Sequence, residues 1–569
     1  MKKIMALLLA LAMVLGMVAC GAKQEAAPEA TPEAAPEAAP EAAPEAAPEA
    51  EAADGSVLKL QWFQQGGIDT LFESPWKDIQ SLVSHMLFDS LIVINSDGSY
   101  AGKLAEDWKV SEDGLTYTFI IREGVKWHDG ADFTAEDVAW SLNAFAASGG
   151  TLGSAAAGMI EGFADVAAGT ATEISGVTVD GNNVIIKLTA PSRFFMSGIA
   201  NIKILPKHLL SDVAPVDLVT YEAYWSKPVG TGPYKLDEVS FPDYCTVVAN
   251  ADYFDAAPGI QKALFTNYSA GGNDAVVAAL IAGDLDFAYK NAINDIEVAS
   301  NITAQNPDTY AQMGTSYYAR YMTFNLGPRA DGKVKEDLKN EKVRQAFNYI
   351  IDQNAIASFY GEQAVALSTM VNPGDAAYNT DIPLATKDIE AAKALLNEAG
   401  FDFSQTIDIA YYYDDQTTAD IMALIKQDFA AAGVTVETSL MTGDLGTQIY
   451  TDCNYDLIYL GMSYASPVEF YSEWTTRPWY TFMGMEEERG ELFDALYASY
   501  EACQDTAEAK AIGDELQAIG YRTCYMIPCY GLNTIVIYNT ANVSIPEDVF
   551  SVDYETTRNW KFEDWSLLK

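Results

Sequence analysis

"LAEDWKVSEDGLTYTFIIREGVKWHDGADFTAEDVAWSLN", residues 104–143, holds two hydrophobic periods in one run. "EDGLTYTFIIREGVKW" (112–127) alternates apolar and polar side chains, the period of a strand hairpin with one buried face. After it the period changes. Asp129-Gly130 is a turn signal. Thr134 stands where a helix N-cap belongs, and Asp137 three residues later can complete a capping box. Glu136 and Asp137 fall in the first turn, where the helix dipole favours negative charge. Val138, Ala139, Leu142 and Phe145 continue as an apolar face. His128 sits among these acids, which raises the alternative of a metal or catalytic centre. A metal would need a second histidine, or Cys and His at ligand spacing. His85 and His208 stand alone, and no HExxH occurs. The stretch therefore reads as hairpin, turn and helix start.

Working outward, the N-terminus is set apart from the body. "MKKIMALLLALAMVLGMVAC" has Lys2 and Lys3, an apolar run and small residues, the pattern of a secretory signal over residues 1–19. The run is too short for a permanent membrane span. "MVAC" (17–20) resembles the lipobox of bacterial lipoproteins, although Met17 stands where leucine is preferred. That resemblance implies lipidation of Cys20. The next segment, through residue 56, repeats proline every fourth residue from Pro28 to Pro48 with glutamates between. It offers almost nothing apolar to bury, so a disordered, stiffened tether is expected.

The chain has 569 residues, 49% hydrophobic and 12% aromatic, with a formal charge of −46. Its length predicts two to four lobes. The charge excludes nucleic-acid binding, which needs basic surface. It fits a solvated acidic surface better than a site for a cationic ligand. Beyond Cys20 there are cysteines at 245, 453, 503, 524 and 529, with no CxxC pair. Most are expected as buried free thiols.

"VLKLQWF" (57–63) predicts a first strand, and "LVSHMLFDSLIVINSDGSY" (82–100) a helix, a strand and a turn at Asp97-Gly98. "GVTVDGNNVIIKLTAP" (176–191) predicts a hairpin pairing Val177 and Val179 with Val184, Ile186 and Leu188. Further on, "EKVRQAFNYIIDQNAI" and "TKDIEAAKALLNEAG" are amphipathic helices, the second stopping at Gly400. "TIDIAYYYDD", "TADIMALIKQDFAAAG" and "VTVETSLM" read as strand, helix and strand, a β-α-β unit that implies parallel strands.

Residues 104–143 closely resemble a signature of the bacterial extracellular solute-binding protein family 5, the oligopeptide- and dipeptide-binding subunits of ABC importers. "KPVGTGPYKL" (227–236), "LIAGDLDFA" (280–288) and "VRQAFNYIIDQNAI" (343–356) with "AAKALLNEAGF" (391–401) resemble further signatures, in family order. The resemblance implies an α/β, two-lobed clamp of the periplasmic-binding-protein type (type II, large peptide-binding class), with a strand-rich third domain inserted in the first lobe. The expected division is 57–99, 226–318 and 526–569 for lobe I, 100–225 for the insert and 319–525 for lobe II. The chain is expected to cross between lobes near 317–326 and 520–530. Solute would be engulfed as the lobes close, and the closed form would dock on a membrane permease with its ATPase subunits. No catalysis, cofactor or metal is implied, and the expected state is a monomer.

In peptide-binding relatives a segment like G-W-x-x-D-Y-x-D-P pairs its backbone with the peptide, and its first Asp meets the peptide ammonium. The corresponding segment here is "YDLIYLGMSYASPVEF" (455–470). Gly461 matches, Met462 replaces the Trp, Ser463 and Tyr464 follow, and Ala465 stands in place of that Asp. The resemblance thus implies ligand contacts at Gly461, Met462, Ser463 and Tyr464. Trp62 with Gln64, Tyr318 and Trp474 are further candidates, the aromatic ones by stacking on sugars or aromatic side chains. Glu469 is a candidate substitute for the missing acid. A non-peptide solute such as an oligosaccharide is the alternative ligand, and nickel is disfavoured by three scattered histidines. "GMSYA" misses the last glycine of a nucleophile elbow and has no base, so a hydrolase through Ser463 is a weak competitor. A surface receptor or adhesin that keeps the clamp is another.

Overall fold

In a computed structural model, two β-sheets with separate cores organise the body. It describes residues 57–568 apart from 63–81, 96–97, 150–156, 241–242, 269–270, 290–295, 315–316, 334, 385, 464–467, 475–485 and 550–558. Cys20, the signal and the tether lie outside the described residues, as do Gln64, Tyr464 and Ala465.

The first sheet has seven strands. β1 (Val57–Trp62) runs parallel to β10 (Lys262–Asn267) and to β11 (Phe287–Tyr289). Antiparallel strands β9 (Tyr244–Ala249) and β8 (Tyr234–Ser240) extend one side. β19 (Thr534–Asn539) and β12 (Thr309–Gly314) extend the other. The second sheet has six strands. Its centre is β13 (Tyr318–Phe324), between β17 (Leu457–Ser463) and β18 (Met526–Leu532). β14 (Ala364–Ala366) adds to β18. β15 (Thr406–Tyr411) and β16 (Thr435–Leu440) are parallel and joined by the helix Gln416–Ala431, the β-α-β unit expected from the sequence.

In the chain between β1 and β8 comes a separate four-stranded antiparallel sheet of β4 (Ala105–Val110), β5 (Thr116–Ile121), β7 (Asn183–Lys187) and β6 (Val177–Asp180). Val177 faces Ile186 and Val179 faces Val184 as predicted, whereas Leu188 lies past the hairpin and bridges to Ile160. The helix Ala135–Ser148 begins at Thr134, whose N–H donates to the Asp137 carboxylate at 2.8 Å, so the capping box read from the sequence forms. A boundary at residue 100 divides a hairpin, because β3 (Tyr100–Gly102) pairs with β2 (Ile92–Ile94).

Leu58, Leu60 and Phe287 of the first sheet share one apolar core with Phe119, Val138, Leu142 and Val184 of the four-stranded unit. A separate core packs Tyr321, Phe324, Ile407 and Ile409 of the second sheet against Phe347 and Phe429 of its helices. Each fully buried side chain of this size contributes roughly 1.5–3 kcal/mol. With two such cores, each lobe holds its own shape while the chain crosses between them twice. It leaves the first sheet after Gly314 and enters the second at Tyr318. It returns between Leu532 and Thr534.

This topology corrects the expected bounds in two places. Tyr318 begins a strand of the second sheet, so the first crossing precedes "YYARYMTFN" almost entirely instead of running through it. Residues 526–532 also belong to the second sheet, pairing with β13, and the return falls at Asn533 rather than in 520–530. β18 pairs with β13 on one edge and β14 on the other, which leaves it no edge for the first sheet.

Candidate functional site

The sheet topology selects one end of each lobe. The parallel strands of the first sheet finish at Trp62, Asn267 and Tyr289. Gly314 and Thr534, where the chain leaves and re-enters, face each other at this same end. In the second sheet the parallel strands β15, β16 and β17 finish at Tyr411, Leu440 and Ser463. Tyr318, the first residue after the crossing, is paired with Ser463. Both crossings therefore join the carboxyl ends of parallel strands, where α/β sheets place their ligands.

At this end the second sheet brings several candidate residues together. Tyr318 faces Ser463, Ala319 faces Met462, and Arg320 faces Gly461. A Cβ on Gly461 would lie 2.1 Å from the Tyr318 hydroxyl and 2.6 Å from its Cζ. Glycine is required because the Tyr318 ring lies across that backbone. Arg320 shares the face of Tyr318, two residues along the strand. Its guanidinium carbon sits 3.3 Å from the Tyr413 ring centroid, 5.4 Å from Tyr318 and 5.7 Å from Tyr459. The Tyr459 hydroxyl donates to the Tyr530 hydroxyl at 3.2 Å, and the Tyr530 and Tyr360 rings lie 4.9 Å apart. Burial pushes the Tyr318 phenol up to about 12 and raises those of Tyr413, Tyr459 and Tyr530 well above the usual value. All stay neutral near pH 7, able to give and accept hydrogen bonds.

Other predicted residues lie elsewhere. Trp62 closes β1, paired with Asn267 in the first sheet. Trp474 ends the helical turn Val468–Trp474. Glu469, the candidate substitute acid, acts electrostatically on Tyr100 of the first lobe and Tyr500 of the second. It belongs to a patch where the lobes touch. There Arg193 N–H donates to the Glu501 carbonyl at 2.8 Å, and its guanidinium lies 4.5 Å from the Tyr500 ring centroid. Arg193 Nη1 also donates to the Cys503 carbonyl at 3.4 Å. These acceptors are at the negative end of the helix Glu486–Ala502. Sequence reasoning did not single out Arg320, Tyr413, Tyr459 or Tyr530. The one available signal was a lone charge between tyrosines in "YYARYMTFN".

His128 is a staple between two segments of the first lobe. Its N–H donates to the Gly230 carbonyl at 2.8 Å. The Gly230 N–H donates to Nδ1 at 3.1 Å, and Nε2–H donates to the Gly232 carbonyl at 3.0 Å. Lys235 Nζ donates to its carbonyl at 3.2 Å. Gly230 has no room for a side chain, since a Cβ there would lie 1.8 Å from the Leu87 carbonyl oxygen. The imidazole must stay neutral to accept at Nδ1, and burial holds its pKa down to about 4. His208 pairs with Asp129 at 2.8 Å, and His85 Nδ1 lies 3.3 Å from Lys203 Nζ. Among the described residues no group of three His, Cys, Asp or Glu is arranged to hold a metal ion. Cys245, Cys453, Cys503, Cys524 and Cys529 are free thiols, all but Cys503 buried. Among the described residues no helix is long and apolar enough to cross a membrane.

The sequence profile of the bacterial extracellular solute-binding proteins, family 5, middle region, matches residues 99–481. The oligopeptide-binding protein AppA of Bacillus subtilis is 25% identical over 538 residues, covering 88% of this chain and 90% of its own. Among solved structures, the ABC transporter substrate-binding protein CtaP of Listeria monocytogenes superposes with a TM-score of 0.74 at 21% identity, over 91% of this chain and 100% of its own. NikZ of Campylobacter jejuni, in complex with Ni(L-His), superposes with a TM-score of 0.67 at 20% identity, over 90% of this chain and 100% of its own.

Proposed function

The chain belongs to the bacterial extracellular solute-binding proteins of family 5, and from that premise we propose that it captures a peptide-like solute between its lobes for an ABC importer. The observation that carries this reading is the meeting of both crossings with the carboxyl ends of the parallel strands, beside Gly461–Ser463. A solute bound there contacts both lobes when they close, and so stabilises the closed form by its differential contacts. The closed form is then the species a permease and its ATPase subunits recognise. The protein works as a monomer on the outer face of the membrane, held through lipidated Cys20 and its tether, and performs no chemistry on the solute.

The peptide class is supported by AppA, a relative matched over most of both chains and described as oligopeptide-binding. The test is uptake of isotope-labelled short peptides by cells lacking this protein, with and without its return. Loss of uptake on deletion and recovery with the wild-type chain are expected. Uptake unchanged by deletion would refute the importer reading. In the same cells Cys20→Ala should move the protein from the membrane fraction to the soluble fraction or medium. Retention in the membrane would refute the anchor.

A further inference from the structure

The second crossing between the lobes contains no free residue. Leu532 pairs with Ala364 in the second sheet, and the Asn533 N–H carries that ladder one step on by donating to the Gln363 carbonyl at 2.8 Å. Thr534 already pairs with Gly314 in the first sheet, and its hydroxyl donates to the Gly314 carbonyl at 3.3 Å. A rotation of one lobe against the other must here turn the single peptide plane that joins Asn533 to Thr534, because the plane itself is rigid. The oxygen of that plane is held. Gln363 Nε2 donates to the Asn533 carbonyl at 3.0 Å, from a residue only 2% exposed. The Asn533 side-chain oxygen does not share this task, being shielded and without a partner. The turn that carries Gln363, Gly361–Gln363, is wedged between the lobes. It starts at Gly361 with φ +55°, a backbone that favours glycine. A Cβ there would lie 3.6 Å from Cγ2 of Ile296, the first residue of the lobe I helix Ile296–Gln305. Ile296 packs in turn on the small core that holds Ile535 and Ile537 of β19.

We propose that Gln363 is the positioning residue of the hinge. Its side-chain amide holds the peptide plane between Asn533 and Thr534 in the orientation that lets the lobes meet at Arg193 and Tyr500, and opening breaks that bond. The backbone bond between Asn533 and Gln363 stays, which confines the movement to the bonds flanking the plane. A neutral hydrogen bond exchanged for water is weak enough to break in every cycle, yet strong enough to shift a two-state balance several-fold. The inference rests on capture between closing lobes and is independent of the class of solute.

The test uses the full-length protein and two variants. Gln363→Met keeps the length of the side chain and removes the donor, and Gln363→Asn keeps an amide but withdraws it by one carbon. Small-angle scattering of the solute-free protein reads the separation of the lobes. Calorimetry with a pool of random tripeptides to pentapeptides reads capture, and thermal unfolding reads the fold. Both variants should show a larger radius of gyration than the wild type and bind the pool roughly three- to tenfold more weakly. Weaker binding by both variants at an unchanged unfolding temperature would uphold the hinge role even where the scattering is the same. Variants that match the wild type in scattering and in affinity would overturn it and leave peptide capture standing. So would variants that only melt lower, since Gln363 would then serve packing alone. A wild type that ignores the pool, with variants that still scatter as more open molecules, would uphold the hinge role and refute the peptide reading. A wild type that ignores the pool, with variants that scatter alike, would overturn both.

Discussion

Replacing His128 by Gln should make the first lobe less sensitive to acid. In the native protein His128 accepts a hydrogen bond at Nδ1, and burial depresses its pKa to about 4 from an ordinary 6.5. The unfolded chain therefore binds a proton in this interval that the folded chain refuses. Stability from the neutral imidazole is fully present above pH 6.5 and is lost as pH falls through 4. The shift of about 2.5 pH units corresponds to at most about 3 kcal/mol, lost at about 1.4 kcal/mol per pH unit. Some solvent reaches the ring, so about 2 kcal/mol is the expected size. Gln carries an acceptor and a donor but does not titrate. The assay is urea unfolding of wild type and His128→Gln between pH 7 and 4, followed by tryptophan fluorescence. At neutral pH the wild type should be the more stable, and its advantage should shrink steadily below pH 6.5. Parallel curves across the whole range would refute the staple, because a solvated histidine or one held protonated would not produce this convergence.

Gly461→Ala places a methyl group where the Tyr318 hydroxyl now lies, at 2.1 Å. Displacement of that ring should weaken peptide capture roughly tenfold, about 1.4 kcal/mol, in titration calorimetry while circular dichroism stays unchanged. Arg193→Ala removes the side-chain contacts to the Cys503 carbonyl and the Tyr500 ring that join the lobes, and keeps the backbone bond to the Glu501 carbonyl. A loss of about 1–2 kcal/mol from the closed form should weaken affinity on the order of tenfold and raise the radius of gyration seen in small-angle scattering. Unchanged scattering and affinity would show that this patch does not bias closure.

Local structure was legible where neighbouring residues decide it. Thr134 and Asp137 fix a helix start by themselves, and the alternation in 176–191 fixes its own register. The β-α-β unit of 406–440 was equally plain, because a helix between two strands constrains their direction. The sheet to which a strand belongs was not local. "MIPCYGLNTIVIYN" is one apolar run, yet β18 pairs in the second sheet and β19 in the first, with only Asn533 between them. Both strands are mostly buried, so burial does not mark the switch. The candidate site divides in the same way. Gly461, Met462 and Ser463 came from the resemblance, and the structure pairs them with Arg320, Ala319 and Tyr318 of β13. Arg320 was passed over because Tyr413 and Tyr459, whose rings it packs against, come from segments far along the chain. His128 has a structural place in the fold, but its partners at Gly230 and Gly232 lie a hundred residues away.

The central claim is that this chain holds a solute between its lobes, and native mass spectrometry tests it most directly. The protein should be purified from its own cells without denaturation and weighed before and after incubation with a pool of random tripeptides to pentapeptides. A chain carrying one additional mass, freed by activation and fragmenting as a short peptide, is the predicted result. A bare chain in both spectra would contradict the account.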